Sequence, residues 1–351
     1  MLRLKAKSDG HCVARVPLIE GFKFPNERIV NISVSYHACV LVLQSVSGGG
    51  AGSTGGMNLI RTRVFVCYSA NRNEFGVRKT KFTERVETFS QSGIENSEIE
   101  WTCLEDFQLQ DGEFITKTSC AAFTCCFLTS HGRLLACGSN QFFEIAQPSS
   151  DNNIPAIQCC CLDPSNECKE PFFTKTVNGD HNIIALTRDH NIFYCGYSMG
   201  NNGNNLPMMK QLAPISLMGE DEYFIDICAS YYSWIYLTNK FNLYLVDKFH
   251  SNLAKICGEP VISCRMCSSN KTFFLVINNS QIYSLDSQSK FKLIHKVTNP
   301  KPNQHLQITS ARDNLIAYWE TNSESKNLKE QGENLKNRVI DGNLSDIIIF
   351  Q

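Results

Sequence analysis

Three clusters along the chain carry residue types that could do chemistry. The run "GGGAGSTGG" (48–56) has the glycine density of a phosphate-cradling loop. Such a loop needs Lys followed by Ser or Thr after its last glycine, to reach the phosphates and Mg²⁺. Here Gly56 is followed by Met57 and Asn58, so the run reads as a flexible hairpin tip. "CCCLDPSNEC" (159–168) gathers four cysteines, and Cys264-Arg265-Met266-Cys267 is a single C-x-x-C. A structural zinc site takes four ligands, usually as two spaced pairs. Neighbouring residues of an extended chain point to opposite faces, so Cys159, Cys160 and Cys161 do not converge. Joining them to Cys264 and Cys267 would require distant segments to meet. Neither a metal nor a cofactor is expected. His37 and His181 stand at equivalent places in two similar segments, with Tyr231 or Tyr232 near that place in a third, which suits packing better than catalysis. There is no Gly-x-Ser-x-Gly, no His-Glu-x-x-His and no repeated carboxylate pair. The catalytic residues stay unknown, and the sequence leans away from an enzyme.

The elements that would position any site follow from composition and repetition. Of 351 residues, 42% are hydrophobic and 19% charged, the balance of a core-forming chain. The formal net charge of -1 argues against a nucleic-acid partner. The opening "MLRLKAKSDGHC" is interrupted by charges, and no apolar run approaches the roughly 18 residues of a spanning helix. No membrane insertion is expected, and the placement is intracellular, cytoplasmic or nuclear. Seventeen cysteines then read as reduced, mostly buried thiols, many inside apolar strands such as "CAAFTCCFLT" (120–129). The sequons at Asn31 and Asn270 are expected to be unused for the same reason.

Internal copies decide the fold. "FTCCFLTSHGRLLACGSN" (123–140) aligns with "HNIIALTRDHNIFYCGYS" (181–198): an apolar strand ending in Leu-Thr, a polar turn, a second strand, then Cys-Gly. This is a β-hairpin signature. Residues 232–248 and 270–287 are further copies. Near the start, 36–43 and 63–77 are the two strands of another, with the glycine run between them. Residues 307–320 form a degraded copy, and 339–350 resemble the strand before each turn. Residues 2–14 can be laid on 134–146, so the chain begins on a second half-repeat and ends on a first. Seven first halves give a period of about 50, the size of a four-stranded propeller blade.

The pattern resembles the regulator of chromosome condensation repeat family, a seven-bladed β-propeller. Asn178, Gly179, Asp180 and His181, followed by Ala185, Leu186 and Thr187, fit the first part of its repeat. Gly138, Ser139 and Asn140 fit its later Gly-x-Asn, and Asn71 to Gly76 fit the same element with one residue of drift. Cys67, Cys137 and Cys195 stand where the family usually has Trp, and most repeat glycines are replaced. The expected fold is an all-β single domain over 1–351, with four-stranded antiparallel blades. Seven blades are expected, six being the alternative, in a ring closed by N-terminal strands pairing with the C-terminal half-repeat. Insertions fall at 45–58, 78–113 and 320–338. The last two are expected to be solvated loops and the best regions for partner contact.

The expected function is a non-catalytic protein–protein interaction scaffold binding through blade loops. The resemblance also implies an alternative, guanine-nucleotide exchange on a Ran-like small GTPase. Exchange works by binding the empty GTPase more tightly than the loaded one. The partner is therefore a protein, a small GTPase in the second reading.

Overall fold

The computed structural model describes residues 27–350 except 35–37, 48–58, 69–77, 91–92, 105–106, 122–123, 150, 152, 198–204, 213–218, 231–232, 246–247, 269–271, 286–289, 298–303, 312–313 and 322–346. These residues form antiparallel sheets following one another along the chain. The first contains β1 (Glu27–Val34), β2 (Ala38–Ser47), β3 (Leu59–Tyr68), β4 (Arg78–Ser90) and β5 (Gly93–Leu104), in the order β1-β2-β3-β5-β4. Next come four sheets of four strands in simple succession. They are β6 (Ile115–Cys120), β7 (Thr124–Thr129), β8 (Leu134–Ser139) and β9 (Asn153–Cys159); then β10 (Phe173–Gly179), β11 (Asn182–Thr187), β12 (Ile192–Tyr197) and β13 (Asn205–Gln211). The fourth has β14 (Phe224–Ala229), β15 (Trp234–Thr238), β16 (Asn242–Leu245) and β17 (Lys248–Asn252); the fifth has β18 (Cys264–Ser268), β19 (Phe273–Ile277), β20 (Gln281–Leu285) and β21 (Phe291–Lys296). β22 (Gln304–Ala311), β23 (Asn314–Thr321) and β24 (Ile347–Phe350) make a sixth, three-stranded sheet.

The second strand of each four-stranded sheet is buried on both faces, which alternation alone would not produce. β7, β11, β15 and β19 have every residue buried. The cause is stacking. One apolar cluster joins Val40, Val42, Val64 and Val66 of the first sheet to Phe127, Leu135 and Cys137 of the second. The next joins Cys126, Leu134 and Ala136 to Ile183, Phe193 and Cys195. Each further cluster again spans two successive sheets. Cys acts as a small hydrophobe at these seams, and burial pushes the Cys125, Cys126 and Cys160 thiols well above their ordinary pKa.

The first strands line up as inner staves, β1 against β6, β6 against β10, and onward through β14, β18 and β22. Short polar side chains tie them together. Asn31 Oδ1 accepts from the Thr118 N–H at 3.0 Å and from its hydroxyl at 2.7 Å. Ser119 Oγ accepts from the Asn178 N–H at 3.0 Å, and Lys175 pairs with Asp226 across the next seam.

Three expectations change. Residues 78–104 are not a solvated loop: β4 and β5 pair from Arg78↔Leu104 to Ser90↔Gly93 and extend the first sheet outward. The period-2 run of β-branched and apolar residues outweighed its charge. The hairpin in 307–320 is β22–β23, the first two strands of a sheet, rather than the second and third. The C-terminal strand pairs Ile316↔Ile349 and Leu315↔Phe350, so β24 is the third strand of the sixth sheet and does not open another. The segment 322–346 between them had disguised that relation. The expectations for residues 2–14, the glycine run 48–56, Asn71 to Gly76, His37, Tyr231, Tyr232 and most of 320–338 fall outside the described residues. The only helix among the described residues, α1 (Leu253–Cys257), is too short to cross a membrane.

Candidate interaction surface

One end of the sheets carries the turns between second and third strands together with the linkers that enter each sheet. The Leu-Thr step of the repeat builds these turns. The hydroxyls of Thr129, Thr187 and Thr238 accept from the N–H groups of Arg133, Asn191 and Asn242, at 3.1, 3.0 and 3.2 Å. Each turn then needs one residue in the left-handed region, filled by Gly132, His190 and Phe241 at φ 74°, 63° and 58°. The backbone demand survived the loss of glycine. The fifth sheet has no such Thr and turns through Asn278 and Asn279, both at positive φ, a conformation Asn tolerates.

Carboxylates clamp the linkers to these turns. Glu113 has a fully buried side chain; its oxygens accept from Arg133 Nε at 2.9 Å and Nη2 at 2.5 Å, and from the Gln110 N–H at 2.8 Å. Burial opposes ionisation, but these bonds and one from Thr129 outweigh it and hold the Glu113 pKa at about 2. In the fourth sheet Glu222 takes the same place, accepting from the Thr238 hydroxyl at 2.6 Å and Asn242 Nδ2 at 2.7 Å. Burial again opposes, and the same donors lower its pKa. Sequence reading missed this element. Its signal is the recurrence of "GEFI" (112–115) as "DEYF" (221–224).

Phe172 and Tyr223, each just before the first residue of its sheet's bulged strand, pack on the left-handed residue of the preceding turn. A Cβ on Gly132 would lie 2.5 Å from the Phe172 ring, and the Tyr223 ring centre is 4.2 Å from that of His190. Around these rigid points lie large exposed apolar side chains: Tyr223 (43% exposed), Ile225 (38%) and Ile262 (81%). Ile225 sits at a β-bulge shared with Thr116 and Thr174, whose hydroxyls donate to Leu128 O and Leu186 O. The change to an apolar residue there exposes carbon where a hydroxyl would be satisfied.

The opposite end holds the family-like Gly-x-Asn loop. Asn140 Nδ2 donates to Gln147 O at 3.0 Å, while Phe143 (φ 61°) and Ala146 (φ 53°) hold backbone conformations that favour glycine. Buried Glu144 accepts from Ser139 Oγ at 3.2 Å and the Phe142 N–H at 2.8 Å, and His181 Nδ1 lies 3.4 Å from it. His181 also packs edge-on against Phe142, with ring centres 4.7 Å apart. The recurring histidine is therefore a seam residue between the second and third sheets. Ser139 and His181 both address the same carboxylate. Among the cysteines singled out by spacing, Cys159 is exposed and Cys160 is buried at a seam. Cys161 Sγ lies 3.6 Å from Gln147 Oε1. Cys264 packs toward the fourth sheet and Cys267 toward the sixth. Among the described residues, no three His, Cys, Asp or Glu gather as a metal site.

A second surface is the β4–β5 hairpin. β3 meets β5 only from Val64↔Leu104 to Cys67↔Trp101, whereas β4 and β5 stay paired to Ser90↔Gly93. The hairpin therefore runs on beyond β3 by about 25 Å at the usual strand rise, away from the turn end.

Residues 115–144 match the Regulator of chromosome condensation (RCC1) repeat. They cover β6 to β8 and the Asn140–Glu144 loop. No curated protein matches the sequence. The fold is similar to that of human WBSCR16, at 11% identity over 85% of this chain and 76% of that one, with a TM-score of 0.57. Yeast RCC1 (Prp20), in a structure bound to Kap60, aligns over 88% of this chain and 83% of its own at 10% identity, with a TM-score of only 0.42. One segment of the chain thus matches an RCC1 repeat, and its succession of stacked antiparallel sheets has a fold similar to that of WBSCR16.

Proposed function

We propose that the chain is a non-catalytic interaction propeller that grips a protein partner with its turn end. The observation that carries this reading is the exposed set Tyr223, Ile225 and Ile262, held on linkers that Glu222 and Asn278 fix to the adjoining turns. Apolar groups on rigid supports lose little entropy on binding. Cysteines such as Cys126 and Cys160, packed as small apolar side chains at a seam, fit an intracellular setting, cytoplasmic or nuclear. The six sheets among the described residues favour six blades over seven.

The test is affinity capture with the intact chain and with Tyr223→Ser/Ile225→Thr/Ile262→Ser. Threonine at 225 restores the residue type of the two equivalent bulges, so the fold is retained. Partners captured by the intact chain and lost with the variant support the surface; identical partner sets refute it.

The protruding β4–β5 hairpin favours a second reading, exchange activity on a small GTPase, since exchange needs an element that reaches into its target. Release of labelled GDP from Ran-, Rab- and Arf-type GTPases tests it. Acceleration that disappears when 79–103 is replaced by a short turn supports exchange; no acceleration on any of them removes it.

A further inference from the structure

β4 ends the first sheet, with β5 on one side and no strand beyond it among the described residues. Thirteen residues long, it is an unusually extended edge, and such an edge offers N–H and C=O groups to another strand. Which residues offer them follows from the hairpin. Only two residues separate Ser90 from Gly93, so that closing pair is hydrogen-bonded, and bonding to β5 then falls on every second residue. Ser90, Thr88, Val86 and Glu84 turn their backbone groups inward. Phe89, Glu87, Arg85 and Thr83 turn theirs outward.

Two copies of β4 paired antiparallel must set outward residues opposite outward residues, so the two-fold axis passes through a residue. An axis at Glu84 or Glu87 sets like acids face to face, and one at Arg85 sets two arginines together. Axes at Phe82 or Thr83 bring Lys79 or Lys81 opposite Arg85. An axis at Val86 places Arg85 opposite Glu87 twice and Thr83 opposite Phe89 twice, with Glu84 opposite Thr88. Among the self-pairings centred between 82 and 87, it alone matches opposite charges without a like-charged pair.

We propose that the protein forms a two-fold symmetric dimer through β4, centred on Val86, joining the two hairpins into one continuous antiparallel ribbon. Arg85 and Glu87 set the register and the choice of partner.

The experiment is sedimentation velocity on the full chain, with circular dichroism to confirm folding. The intact protein should sediment as a dimer. Arg85→Glu and Glu87→Arg should each weaken dimerisation about tenfold or more, since each turns both crossings repulsive. The first variant carries acid at both positions and the second base at both, so mixing them restores opposite charges at each crossing and should give a heterodimer. Glu87→Pro, which removes an outward donor while keeping the bonds to β5, should give a monomer. A monomeric intact chain overturns the proposal. So does a dimer that both charge variants retain, or a mixture that stays monomeric.

Discussion

Replacing Glu113 by Gln keeps the shape of the side chain and removes the charge that Arg133 and Gln110 hold. The carboxyl's pKa falls from 4.5 to about 2 in the folded protein. The sign follows from that direction. The ionised form is favoured by folding, so the stabilisation is fully present above about pH 4.5 and disappears as pH drops through about 2. The two values differ by about 3 kcal/mol of interaction as a ceiling, and Arg133, 26% exposed, is screened enough to bring this to about 2 kcal/mol. Urea unfolding of the intact chain and Glu113→Gln, at steps from pH 7 to pH 2.5, is the assay. The intact protein should lead by about 2 kcal/mol at neutral pH, and the gap should shrink steadily below pH 4.5. A gap that stays constant with pH, or one under about 0.5 kcal/mol at pH 7, would show that the carboxylate is not the clamp.

Gly132→Ala should cost about 2 kcal/mol, because the left-handed backbone and the Phe172 ring both oppose a Cβ. Gly112→Ala, at the same φ but with open space around it, should cost only about 1 kcal/mol; equal losses in thermal unfolding would discount the ring contact. Ala146→Gly should leave stability within about 0.5 kcal/mol, since relief at φ 53° offsets the lost methyl burial; a loss above about 1 kcal/mol would refute the strain. Thr187→Ala should cost about 1 kcal/mol, while Ile277→Thr, in the turn that has no such hydroxyl partner, should bring no comparable gain in chemical denaturation.

Much of the fold was legible because repetition is visible without any single strong motif. The hairpins β7–β8, β11–β12 and β15–β16 were found from the Leu-Thr step and the apolar strands around it, and β19–β20 from its apolar strands around an Asn-Asn-Ser turn. The turns were harder to read because glycine, their usual marker, had become His190 and Phe241. Their conformation is imposed by the Thr hydroxyl and the strand register, which no local propensity reports. The β4–β5 hairpin was hidden by its charge, and charge on an edge strand is normal. The clamp at Glu113 escaped because its partner Arg133 lies across a hairpin. The exposed trio Tyr223, Ile225 and Ile262 could not be found from sequence, since an apolar residue beside a strand reads as core until neighbouring sheets are placed.

The shared seams constrain how such a protein can change. Every apolar cluster belongs to two sheets, so removing one sheet would strip the facing surface of both neighbours. Additions between second and third strands must respect the Thr-anchored turns, and additions to the first strands must respect the contacts between them. The outer rim is free of these debts: β4 and β5 add two long strands there while Val64 and Val66 remain in the seam with Phe127. New sequence, and with it new binding behaviour, can thus be grown at the outer edge of one sheet while the stacked sheets keep their packing.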